Sequence, residues 1–208
     1  GAALVIDATQ AAGVAPFDVV ELGADFVVAA GYKWLMGPYT QSFLYAAPRH
    51  HGGQPVESHV FNHPADVEGP TAYPTTFTDG ARRFDMGQFM NLINMPMVEA
   101  ALRQITEWTP AAIQQTLAPM TRRIAGEARD LGLVTAPDEH RMGHVLALSP
   151  GAGRGTGRDW PRGIVAAMAA EKVYVSMRAG LLRVSPHLHV TEADIERFFR
   201  VLAPHVGK

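Results

Sequence analysis

The sequence predicts an α/β fold that passes into a smaller α+β region, and three features of its patterning carry that reading. Short apolar runs near the start alternate with polar loops and one short helical stretch. Such alternation marks a largely parallel sheet covered on both faces. Two long segments with helical periodicity follow from residue 96. Beyond them the chain returns to short strands set between helices.

Taken in order, Ala3–Ile6 reads as a buried strand, with Asp7–Gly13 as the loop at its carboxyl end. Phe17–Leu22 reads as a short helix closed by Gly23, where a left-handed backbone suits glycine. Phe26–Ala30 is a second buried strand, and Ser42–Ala46 a third, reached through the Gly37-Pro38 turn. Residues 48–82 are irregular and rich in His, Pro and Thr. Pro96–Trp108 and Ala111–Leu131 are helical, with Pro110 between them. His144–Leu148 is a strand and Arg162–Ala170 a helix. Val173–Met177 and Leu182–Ser185 are strands, and Thr191–Leu202 is a closing helix. Thr191 is a good N-cap, with Asp194 placed as a shorter relative of the capping-box glutamate.

Composition narrows the function classes. With 47% hydrophobic and 18% charged residues the chain is that of an ordinary globular protein. Its net charge of −2, without a basic block, points away from nucleic acid. Apolar runs are interrupted before they reach membrane-spanning length. No cysteine occurs, which removes disulfides, thiolate metal sites and cysteine nucleophiles from this chain. A cytoplasmic protein is the expectation. The opening "GAALVIDATQAAG" lacks an initiator Met and starts inside a core strand. Complete domains seldom begin that way, so upstream residues are expected.

Lys33 is the residue that calls for explanation. It closes an apolar run between Tyr32 and Trp34, although a buried ammonium is costly to desolvate. One reading is a lysine that keeps its head in water at the sheet rim. The other links it to Asp7 and Gln10, in the loop after the preceding strand. Carboxyl ends of neighbouring parallel strands form one crevice, so an acid 26 residues upstream can meet the lysine there. That trio suits pyridoxal phosphate (PLP): an amine for the cofactor aldehyde, an acid for the pyridinium nitrogen and an amide for the phenolic oxygen. Singly, an Asp at a strand end is as often a turn former.

The run "VIDATQAAG…DVVELGADFVVAAGYKWLMGP" resembles the core of the class V aminotransferases. These are type I PLP enzymes, a branch shared with cysteine desulfurases, kynureninases and isopenicillin N epimerase-like proteins. "RRFDMGQFMNLINMPMVEAAL" is similar to that family's stretch before its linker helix, and "LLRVSPHLHVTEADIERF" to its closing motif. The resemblance implies that residues 1–90 are the C-terminal half of a PLP-binding large domain with a mostly parallel sheet. Residues 91–208 would be the linker helix and a small α+β domain. It further implies Lys33 as the Schiff-base lysine, Asp7 on the pyridinium nitrogen and Gln10 on the phenolic oxygen. Tyr32 would contact the phosphate, as in kynureninases, and Arg183 would take the substrate α-carboxylate. Gly87 and Gln88 stand where the family has a Gly-Thr that reaches the neighbouring subunit's phosphate. Ala30 stands where many relatives carry a phosphate-binding serine.

An amino-acid substrate and a homodimer are therefore expected, with the apolar segment 84–97 at the interface. The closing stretch "VSMRAGLLRVS" holds no cysteine, which removes cysteine-dependent desulfuration. The alternative is a non-catalytic fragment or binding remnant of such an enzyme. Two further spellings carry less weight. "GAGRGTG" at 151–157 reads as a connection rather than a nucleotide loop. His50, His51, His59 and His63 lack metal-ligand spacing, so no metal is expected. His187 and His189 fall in the closing motif, where they line the site or pack.

Overall fold

The computed structural model describes residues 1–64, 74–88, 91–151 and 159–206. By its internal contacts the chain divides into two compact units, Gly1–Pro110 and Ala111–Lys208.

The first unit carries a three-stranded sheet in the order β1 (Val5–Asp7), β2 (Phe26–Ala30) and β3 (Ser42–Ala46). β1 and β2 run parallel, with Asp7 opposite Val28. β3 departs from the expected parallel order and pairs antiparallel to β2, Ser42 opposite Ala30. The reason lies in the connection, since a parallel neighbour needs a crossover of a dozen residues or more. Here the chain reverses locally, with the Gly31 N–H donating to the Gln41 carbonyl at 2.8 Å. The helix expected at Phe17–Leu22 is a single turn. Asp18 Oδ1 accepts from the Val20 and Glu21 amides, and the Leu22 N–H donates to the Asp18 carbonyl. One turn fixes too many dihedrals for too few bonds to extend, and Gly23 at φ +61° ends it.

Cover on both faces is also not met among the described residues. Val27 and Ala29 are buried on one face of β2, whereas Val5, Val28 and Leu44, which share the other, are 61%, 36% and 42% exposed.

α1 (Met95–Trp108) counts with the first unit, although the sequence places the division at residue 90. Asn94, at its start, donates to the Tyr39 carbonyl and to Thr40 Oγ1. Val98 and Ala101 line a small void together with Leu35 and Phe43. Those contacts bind the helix to the loop after β2.

The second unit holds α2 (Pro110–Asp130), β4 (Leu146–Leu148), α3 (Ile164–Ala170), β5 (Ser176–Arg178), β6 (Leu181–Val184) and α4 (Glu192–Leu202). The sheet is antiparallel in the order β4-β6-β5. β5 begins later than its apolar run suggests, because the Val173 N–H turns back to the Met168 carbonyl and closes α3 instead. Leu146, Leu148, Leu182, Ile195, Phe198 and Leu202 pack one core between sheet and helices. The α4 cap forms as read: Thr191 Oγ1 accepts from the Asp194 N–H, and Asp194 Oδ2 accepts from the Thr191 N–H. Of "GAGRGTG", all but Gly151 lies outside the described residues, as do Phe89 and Met90.

Candidate active site

Asp7 ends β1 and Lys33 lies in the loop just past β2, so parallel pairing brings their loops out at one sheet edge. Thr9 ties the two together. Its Oγ1 accepts from the Ala30 N–H at 3.0 Å, and Asp7 Oδ1 accepts from the Thr9 N–H at 2.9 Å. The Thr9 hydroxyl, and then its amide, hold the Asp7 carboxyl below the usual carboxylate range by bonding the ionised form. An acid kept charged at a strand end suits a cationic ring nitrogen. Thr9 is the functional residue that pattern reading missed. Asp7 closes an Asx turn on the Thr9 amide, a signal any residue there would give, so only the hydroxyl bond to Ala30 singles out Thr9.

Gln10 reaches the same loop from the other side. Its Oε1 accepts from the indole N–H of Trp34 at 3.3 Å, which assigns the amide's donor end to the Nε2 hydrogens. Lys33 is exposed, its Nζ 5.0 Å from the centroid of the Tyr32 ring. Tyr32 stacks on Tyr39 with ring centres 4.4 Å apart. Gly13, at φ +89°, lets the two loops approach: an added Cβ would lie 2.7 Å from the Trp34 carbonyl oxygen. The Met36 N–H donates to the Lys33 carbonyl and the Gly37 N–H to that of Gly31, folding the lysine loop back on its own strand.

Asp7, Gln10, Tyr32 and Lys33 are thus gathered by two adjacent loops. Gly87 and Gln88 belong to another hydrogen-bonded group. Glu57 Oε2 accepts from the Gly87 N–H at 2.7 Å, and His59 Nε2 lies 2.8 Å from the Asp85 carbonyl. The buried Asn62 donates to the Arg83 and Glu57 carbonyls. Gln88 is exposed at φ +58°, a backbone that a non-glycine residue holds only at some cost. Arg183 lies on β6 of the second unit and donates from Nε to Ser185 Oγ at 3.1 Å.

The four loop histidines each meet a local partner. His50 pairs with Asp25, His51 with the Ala46 carbonyl, His59 with Asp85, and His63 with Ser58 Oγ and the Thr76 carbonyl. Among the described residues no group of three metal-ligating side chains converges. No described helix is long and apolar enough to cross a membrane.

Over residues 1–198 the sequence matches the family described as Aminotransferase class-V. This chain belongs to the class V aminotransferase family. It is 26% identical over 218 residues to isopenicillin N epimerase of Streptomyces clavuligerus, covering all of this chain and 54% of that protein. Its fold is similar to part of the apo cysteine desulfurase from Thermococcus onnurineus NA1, with TM-score 0.79, 21% identity, and coverage of 99% of this chain and 53% of the other. A C-DES variant with glycine covalently linked to its PLP cofactor gives TM-score 0.77 and 19% identity over 94% of this chain and 50% of that one. The chain spans about half the length of these proteins. The donor set at the β1–β2 edge, an ionised carboxylate, an oriented amide and an exposed lysine, fits PLP.

Proposed function

We propose that this chain carries the lysine-bearing part of a PLP-dependent, cytoplasmic enzyme that acts on an amino acid. The observation that supports it most is the Asp7–Thr9–Ala30 linkage, which seats an ionised carboxylate beside the strand leading to Lys33. When bound, PLP supplies an aldehyde for amine condensation and a ring that takes up electrons from Cα. Lys33 would hold the cofactor through its amine, and that amine would also be placed to move the substrate Cα proton. Asp7 keeps the proton on the ring nitrogen. Gln10 donates from Nε2 to the phenolic oxygen, and Tyr32 meets the phosphate. Arg183 orients the substrate through its α-carboxylate, whose planar oxygens match a guanidinium fork.

Gly87 and Gln88 serve the phosphate of a neighbouring subunit in a symmetric homodimer. Met86, Leu92 and Ile93 support that assembly, being 61%, 79% and 80% exposed. Phe84 is set apart from them, packing edge-on against Phe26 at 6.1 Å. Sedimentation of the natural-length protein should give a dimer. A monomer that still binds PLP tightly would remove the role of Gln88.

The half-length coverage favours a second reading, a fragment that binds without catalysing. Titration with PLP separates the two. The natural-length protein should turn yellow, and Lys33→Ala should abolish that absorbance. A colourless wild type with excess cofactor would overturn the enzyme reading. If the 208-residue chain alone stays colourless while the longer protein colours, this chain is only part of the site.

A further inference from the structure

The second unit contains a cleft of about 310 Å³, at the small end of the range typical of ligand sites. Its floor is apolar, formed by Val175, Val184, Ile195 and Phe198. Val184 faces it from β6, and Ser185, whose Oγ accepts from Arg183 Nε at 3.1 Å, lines it as well. Its polar lining comprises Lys172, Arg197, Tyr174, Ser185, Asp194 and His187, the last stacked on His189 at 5.9 Å. The lone carboxylate among its lining residues, Asp194, is engaged in the α4 capping box, taking the Thr191 N–H and hydroxyl. Asp194 stays ionised in that box and partly offsets Arg197, so Lys172 and Arg197 together leave a surplus of positive charge in the lining. Cationic side chains at an opening attract anions, and branched and aromatic side chains reward an apolar body.

We propose that this cleft binds a small organic anion with an apolar body, an aryl- or branched-alkyl carboxylate, with Lys172 and Arg197 at the carboxylate and Ile195 and Phe198 against the body. The groups that carry the proposal, Lys172, Arg197, Ile195 and Phe198, are none of those assigned to PLP or its substrate, although the cleft adjoins Arg183 through Ser185. Phenylbutyrate and phenylbutanol, equal in length and differing in charge, are suitable probes. Each is titrated into the 208-residue chain while the backbone amide resonances of Val175, Val184 and Ile195 are followed. Phenylbutyrate should shift these resonances saturably, at least tenfold more tightly than the alcohol. Lys172→Gln and Arg197→Gln, at exposed positions that leave the core intact, should each weaken the anion several-fold and leave the alcohol unchanged. Equal affinity for the two probes, shifts confined to other residues, or anion binding unaffected by both substitutions would overturn the proposal.

Discussion

At the scale of single residues the candidate site depends on a hydroxyl. Thr9 bonds both the Asp7 carboxylate and the Ala30 amide, so it favours the ionised acid and links the two loops. Thr9→Val keeps the shape and removes the hydroxyl. It should weaken PLP binding several-fold in an absorbance titration, and Thr9→Ser should restore most of it. Asp25 plays a comparable part away from the site. It accepts from the Leu4 N–H at 2.7 Å and pairs with Arg49 and His50. The Arg49 guanidinium first, then His50 and the Leu4 amide, hold its carboxyl far below the ordinary value of 3.8. Because the folded carboxyl binds its proton less readily than the unfolded one, its contribution is complete above pH 3.8 and fades as pH falls toward the depressed value. Asp25→Asn should lower the melting temperature by several degrees at pH 7, and the gap to wild type should narrow in acid.

Among elements, the β5–β6 hairpin turns through Ala179 and Gly180, at φ +50° and +79°. Two positive φ angles define the tight turn that matches strand twist, and Asn-Gly is its preferred sequence. Alanine there carries a left-handed penalty of about 1–2 kcal/mol. Ala179→Asn should therefore stabilise by about 0.5–1 kcal/mol, seen as a higher urea midpoint with an unchanged m-value. This hairpin also marks the limit of what the sequence discloses. Ala-Gly is a weak turn signal, so pattern reading separated the two strands and began the first at Val173. β2 and β3 were legible to the residue because their apolar runs end at sharp turns, and the Thr191 cap because its partner sits three residues on. The direction of β3 was not legible, since strand order depends on contacts distant in sequence. At the site, Asp7 and Lys33 could be read from spacing, whereas Thr9 acts through an amide 21 residues away.

The two units differ in what their interiors are made of. Buried apolar positions described in the first include Ala8, Ala15, Ala24, Ala29, Ala46 and Ala47, beside three valines and Ile105. In the second they include Leu117, Leu133, Leu148, Met168, Phe198 and Leu202, with Ala125 and Ala128 among them. A buried leucine or phenylalanine contributes about 1.5–3 kcal/mol and a methyl group nearer 0.8. Stabilisation per residue is therefore concentrated in the second unit, away from Lys33. Thermal fluctuation should then open the lysine-bearing unit first, exposing its loops to proteases while the other half stays folded. A molecule held only by the closed form of that unit would counter this through mass action, in proportion to the logarithm of its concentration over its dissociation constant. If PLP binds at the Lys33 edge as proposed, the alanine-lined interior around β2 would make cofactor supply a determinant of how long the polypeptide survives.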